Sequence, residues 1–372
     1  MIEGSQTSTR AGLLGTLIGQ GAELRQRLDR LNAQAATGQV SADFAGLGGG
    51  ASVSLDLRPN LASLEKWQTN IDAAQTRMTV ARTAMGGIET IAADLLSRLN
   101  SLNGINLQAV DAIAAEARSA LAQVGDLLNS QVAGAYVFAG EDSGNPPVPN
   151  AEAITSSGFY TQIATAVAAL GTNGAAATAN ATLAIASSNA SGTSPFSAYL
   201  SQPASALAAP TVEVGPGQRV RTGILASANG AVQSLGGVTT GSHMRDLMRA
   251  LATVGSLSST QANTAGFNAL VQNTRTSLTG AVDAMSADAG VFGDTEASLA
   301  TTRTQLGQTA VALTGQISRI EDVDMARTLS HLSQVESQLQ LSFQLIAGAK
   351  NLPDYAPSSA RFCMVQIMNA PG

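Results

Sequence analysis

Apolar residues recur at helical spacing toward both ends of this chain and lose that spacing in the middle. Leucine or isoleucine returns every seven residues at Leu299, Leu306, Leu313 and Ile320. A second register follows at Met325, Leu332, Leu339 and Ile346, with Leu329, Val335 and Phe343 in the intervening turns. Residues three and four apart share one face of a helix, so the pattern predicts a long helical run over 299–352 with an apolar seam. A seam with a seven-residue repeat asks for a partner helix. Near the start, Leu17, Leu24, Leu28, Leu31 and Ala35 fall at four/three spacing if Gly21 takes the remaining place. That pattern predicts a helix over 11–36. Glycines at 12, 15, 19 and 21 weaken it by about 1 kcal/mol each relative to alanine, so alone it is marginal in water. The two seams are therefore candidate partners, with Leu17, Leu24, Leu28 and Leu31 facing Leu332, Leu339, Phe343 and Ile346.

Between them lie three further helical patterns. The longest covers 55–103, where Ile71, Ala74, Met78, Ala81, Met85, Ile88, Ala92, Leu95, Leu99 and Leu102 alternate at three and four. Methionine and alanine in that stripe suit close helix packing; a soft-metal stripe would need histidine or cysteine beside it. Val110, Ile113, Ala117, Ala120, Val124 and Leu128 define a second helix over 107–131. The Asn103-Gly104 turn between the two predicts that they run antiparallel. A third pattern starts near His243 with Leu247, Leu251 and Val254. It breaks around 255–259 and continues through Phe267, Leu270, Val271, Leu278, Val282 and Met285.

Residues 37–54 break the first pattern with Gly38, Gly46, Gly48, Gly49 and Gly50. No Gly-Lys-Ser/Thr ending follows, so this reads as a linker rather than a phosphate loop. Residues 135–140, Ala-Tyr-Val-Phe-Ala-Gly, carry β-favouring side chains and predict a short strand. From Glu152 to Glu213 no charged residue intervenes. With Val212, Val214, Val220 and Ile224 flanking Gly215-Pro216-Gly217, the segment 141–240 predicts a loop-rich, β-rich insertion. The fold expectation is mainly α with a β-rich insertion.

Composition narrows the function. Aromatics are 3% and charged residues 12% of 372 residues, and the net charge is −6. That balance disfavours an enzyme pocket and non-specific nucleic-acid binding. Cys363 is the single cysteine, so no intrachain disulfide forms. His243 and His331 have no metal-ligand partner at helical spacing, and His331 reads as an exposed helix residue. Asp322 and Asp324 suit a helix N-terminus better than acid/base work. No nucleophile elbow, zinc helix motif or Walker A sequence occurs. The expectation is a non-enzyme with no cofactor, no metal, no nucleic-acid partner and no membrane insertion. The polar Met1–Arg10 lacks the basic and apolar parts of a secretory signal.

The order of elements and several local sequences resemble bacterial flagellins and their hook-associated relatives. Leu24-Arg25-Gln26-Arg27-Leu28, followed by Ala36-Thr37-Gly38, resembles the family's first helix and its turn. Residues 64–91, with Asn70-Ile71 and Arg77-Met78, resemble the second helix. Gly134 to Gly140 is similar to the Tyr-Leu/Val-Phe-Ala/Ser-Gly segment of the hook–filament junction type. Glu321 to Ala326 and Leu339 to Phe343 resemble the C-terminal helix.

The resemblance implies a structural, self-assembling component of the bacterial flagellum that joins hook to filament and supports motility. Filament flagellin is the alternative. A secreted adhesin whose 141–240 segment holds a ligand, or an enzyme embedded there, is a weaker rival. The family's terminal segments are unfolded in the monomer and pair as a coiled coil in the polymer. The implied layout is an inner coiled-coil domain from 1–45 and 316–352, a helical-bundle domain from 46–140 and 241–315, and an outer variable domain over 141–240. Residues 353–372, opening with Pro353, depart from the family pattern as an atypical tail. Implied partners are copies of the chain, hook-associated and flagellin subunits, and a flagellar export chaperone. The implied location is the extracellular flagellum, reached through the flagellar type III channel.

Overall fold

A computed structural model describes residues 3–102, 107–230, 233 and 238–350, with side-chain surroundings for 15–102, 108–230, 233 and 238–348. The expected turn at Asn103-Gly104, the atypical tail and Cys363 lie outside the described residues. The chain is mostly helical with few short strands. In order it forms α1 (Glu3–Thr37), α2 (Gly50–Ser101), α3 (Leu107–Leu128), β1 (Gln131–Val132), β2 (Ala135–Tyr136), α4 (Gly158–Ala168) and α5 (Leu170–Ser187). Then come β3 (Thr211–Gly215), β4 (Gln218–Arg221), α6 (His243–Gly255), α7 (Phe267–Glu321) and α8 (Met325–Lys350). Contacts divide it into two units. Met1–Pro59 with Ala312–Gly372 make the first, and Asn60–Val311 the second.

The second unit holds the large core. Every residue of the ten-position stripe on α2, from Ile71 to Leu102, is buried. On α3, Val110, Ile113, Ala117, Val124 and Leu128 are buried and Ala120 packs against the same core. Gly87 of α2 faces Leu127 of α3, while Arg98 pairs with Glu116 at 3.0 Å, so the two helices run antiparallel. Helix α7 also runs antiparallel to α2 here. Arg275 donates to Asn100 at 3.0 Å, Arg82 pairs with Glu296 at 3.3 Å, and Arg303 pairs with Asp72. The break expected after Val254 is real: Ser242 caps α6 at its start and a short 3₁₀ turn, Ser259–Gln261, precedes α7.

The middle segment differs from the β-rich expectation. Among the described residues, strand content there is the antiparallel pair β3–β4, with a bulge between Glu213 and Gly215, and an isolated bridge between Leu225 and Ala228. Residues 158–187 are helical instead. Phe159, Ile163, Val167 and Leu170 recur at four, four and three, all buried, and that stripe carries α4 into α5. Alanine's high helix propensity and the tertiary core override the β-branched islands. Gly174, at φ +76°, kinks α5. Val148, Ile154, Phe159 and Leu200 join the same core as α2 and α3, so 141–240 packs within the second unit.

The strand expected over 135–140 shortens to β2. Ala133 (φ 50°) and Gly134 (φ 80°) make the turn of a two-residue hairpin, a geometry that needs positive φ at both positions. The chain then turns inward and buries Val137, Phe138 and Ala139, with the Phe138 carbonyl accepting from Ala226 N–H at 3.0 Å. Gly140 closes this turn at φ +69°. A Cβ there would lie 2.7 Å from Leu225 Cδ2 and 2.9 Å from the Ala208 carbonyl oxygen. Gly134 has open space around it. Gly140→Ala is expected to destabilise this unit by more than Gly134→Ala, which meets only the left-handed strain of about 1–2 kcal/mol. Urea unfolding followed by the fluorescence of Trp67 measures both; equal midpoints would contradict the packing.

Candidate assembly surface

In the first unit α1 and α8 pack against each other. The seam positions of α1 lie toward α8: Leu31 and Gly21 are buried, and Leu17, Leu24, Leu28 and Ala35 half-buried. On α8 the matching stripe is Thr328, Leu332, Val335, Leu339, Ser342 and Ile346, each buried or half-buried at four/three spacing. Gly21 and Ser342 meet across the pair, where a Cβ on Gly21 would stand 3.9 Å from Ser342 Oγ. Phe343 is a correction. It lies beside the seam at 43% exposed, and Arg25 sits 5.1 Å over its ring. Ser342 occupies the seam place because helical spacing from Val335 and Leu339 reaches it first.

The helices do not form one continuous run from 299. Helix α7 stops at Glu321 and α8 begins at Met325. Asp324 accepts from the Arg327 N–H at 3.1 Å, which makes it the cap expected of an acidic residue there. The break is tied to the turn after α1. Val40 N–H donates to the Glu321 carbonyl at 2.7 Å, and Val323 N–H to the Gly38 carbonyl at 2.9 Å. Gly38 has φ +73°. The linker expected over 37–54 is shorter than that. Asp43 caps a 3₁₀ turn at Phe44–Leu47 and α2 starts at Gly50.

Glu321 fastens the start of α2 to the end of α7. Arg58 donates to it twice, Nε to Oε1 at 3.1 Å and Nη2 to Oε2 at 2.6 Å, and Ser54 donates to Oε1. These donors, Arg58 first and then Ser54, hold the Glu321 carboxyl below its ordinary pKa. Pro59 follows within α2 and supplies no N–H to the turn before it.

Unpartnered apolar surface concentrates on this unit. Of the eleven large apolar side chains that stand exposed among the described residues, nine belong to it. On α8, Met325, Leu329 and Phe343 fall on one flank of the seam by helical periodicity, and Leu341 and Leu345 on the other. Ile18 adds to α1, and Phe44, Val53 and Leu55 to the chain that follows. Apolar flanks on both sides of a helix that already has one partner leave room for further helices.

The second unit holds charged groups that sequence spacing did not single out. His243 is fully buried, with Nε2 at 3.1 Å from Asp288 Oδ2, and Asp288 also accepts from the Gly230 N–H at 2.6 Å. Asp246 accepts from Thr239 and from the Thr240 N–H and lies 3.8 Å from Arg249. Burial pushes the guanidinium pKa values of Arg245 and Arg249 down. The His243–Asp288 partners are 45 residues apart in the chain, so no local motif marks them. His331 is exposed, as expected. Among the described residues no group of three or more His, Cys, Asp or Glu side chains is placed to hold a metal.

Residues 276–355 match the family model of the bacterial flagellin C-terminal helical region. The match takes in most of α7 and all of α8, the helix that carries the exposed flanks. The match covers 80 of the 372 residues and is a likeness to that region of the bacterial flagellins. That family is structural and non-enzymatic, self-assembles into flagellar polymers, and forms part of the extracellular flagellum. No curated protein matches the chain. No described helix is long and apolar enough to cross a membrane.

The Glu321 clasp has a definite pH dependence. Its folded pKa is depressed, so its contribution is present above the unfolded value of about 4.3 and is lost as pH falls through the folded value. Amide protection factors around 38–40 and 321–323, taken against the intrinsic exchange rate at each pH, are expected to fall below that range in the wild type. In Glu321→Gln they should already be low at neutral pH and change less with acid. Identical pH profiles would contradict the clasp.

Proposed function

We propose that this chain is the structural, self-assembling subunit that joins the flagellar hook to the filament and so supports motility. The observation that carries the reading is the concentration of exposed apolar side chains on the first unit, on both flanks of a helix already paired once. A surface of that kind is covered by copies of the same helices in a polymer. The junction role draws on residues 134–140, whose sequence resembles that of the junction type. In this reading 1–45 and 316–352 form the inner coiled-coil domain, 46–140 and 241–315 the helical-bundle domain, and 141–240 the outer variable domain. The chain leaves the cell through the flagellar type III channel with an export chaperone. It meets hook-associated subunits on one side and flagellin on the other. Filament flagellin is the second reading, favoured by the match of α7 and α8 to the flagellin C-terminal region.

Leu329 is 50% and Leu345 63% exposed, one on each flank. Leu329→Asp and Leu345→Asp are expected to leave monomer stability within about ±0.5 kcal/mol, as for exposed sites in general. Each should abolish polymer in sedimentation and swimming in cells that carry it. Polymer and swimming retained in both variants would sink the reading. Immunogold labelling then separates the two roles. Label at the hook–filament boundary is expected, and label along the filament would remove the junction role while leaving a flagellar one.

A further inference from the structure

A cleft of about 420 Å³ with mixed polar and apolar walls opens beside the start of α6 in the second unit. Its walls include Asn189, Gln202, Ser227, Thr240, Ser242 and Arg245, and Arg245 is the only charged side chain among them. The volume falls within the range of small-molecule sites, about 300–1,000 Å³.

Arg245 is 8% exposed and is held entirely by neutral groups. Its Nε donates to the Ser227 carbonyl at 3.2 Å. Its Nη1 donates to the Ala186 carbonyl at 2.9 Å and more weakly to that of Ser188 at 3.4 Å. Nη2 donates to Asn189 Oδ1 at 2.8 Å, and the guanidinium lies 5.2 Å over the Phe196 ring. Five N–H groups are available and four are used, so one Nη2 donor remains. Among the described residues no carboxylate forms an ion pair with Arg245. The two nearby acids are already engaged and face away from solvent: Asp246 with Arg249 and the 239–240 turn, Asp288 with His243 and Gly230. Their side chains are 0% and 1% exposed. A second polar group is also unsatisfied, since Ser227 Oγ is buried without a hydrogen-bond partner.

A buried cation held only by dipoles is costly unless a counter-charge is at hand. Arg245 lines the cleft, so an anion bound there meets its guanidinium. Amide and hydroxyl side chains line it beside Ala204, Leu207 and Ala228, a mixture that suits the hydroxyls and C–H faces of a sugar. We propose that this cleft binds a sugar acid, its carboxylate set toward Arg245 and its hydroxyls toward Asn189, Gln202 and Thr240. One charge-assisted hydrogen bond from the remaining Nη2–H, and the charge itself, distinguish such a ligand from a neutral sugar. The cleft lies wholly among residues of the second unit, so ligand binding there does not depend on the assembly surface of the first.

Saturation-transfer NMR on the dilute full-length chain tests it, with D-glucuronate, D-glucose and inorganic phosphate as probes. Glucuronate is expected to bind and glucose to bind at least tenfold more weakly. Arg245→Gln should weaken glucuronate at least tenfold. Should that variant fail to fold, Gln202→Ala on the exposed rim is expected to weaken it severalfold with the fold intact. Absence of glucuronate binding to the folded wild type, equal binding of glucose, or full binding by Gln202→Ala and Arg245→Gln would overturn the proposal. Phosphate bound in place of glucuronate would overturn the sugar-acid assignment.

Discussion

Leu31, Ile317 and Val335 are the only large apolar side chains buried among the described residues of the first unit. A fully buried leucine contributes about 1.5–3 kcal/mol. Helices of this kind draw most of their stability from tertiary packing. Helix α1 is further weakened by glycines that no intrachain contact demands, since a Cβ added at Gly15 or Gly19 would meet nothing within 4 Å. The seam that joins α1 to α8 is therefore real but thin. Its half-buried leucines and exposed flanks make the unit dependent on what else covers them.

The second unit shows the contrast. Its α2 stripe is buried at all ten positions, and α3, α4 and α6 add to one continuous core. The antiparallel course of α2 with α7 is fixed by paired polar groups along its edge, which set register without much energy of their own. Exposed pairs of this sort are worth little singly, so the apolar stripe holds the helices and the charges select the alignment. A chain built in this way keeps one body with a large core and carries a second unit with little buried apolar surface of its own. That division suits a subunit that polymerises through its ends.

Much of this was legible in the sequence because helical burial writes itself as a three/four period. The α2 stripe from Ile71 to Leu102 and the seam from Leu17 to Ala35 could be read residue by residue. Asp324 as a helix start was legible from charge alone. Phe343 lies off the seam because the four/three step from Val335 and Leu339 lands on Ser342, whose small side chain faces Gly21. The helices over 158–187 were missed because the segment is uncharged and poor in strong apolar residues, although Phe159, Ile163, Val167 and Leu170 carried the period. The buried charges around α6 could not be read at all. Arg245 is held by carbonyls of residues 186, 188 and 227, and only the folded chain brings those together.

The claim that matters most is that the first unit is completed by neighbouring copies. Hydrogen exchange on the dilute monomer and on the assembled polymer tests it most directly. Amides of 15–36 and 325–348 should exchange fast in the monomer and become strongly protected in the polymer, while those of the α2 stripe stay protected in both. Equal, strong protection of the terminal helices in the dilute monomer would contradict the account.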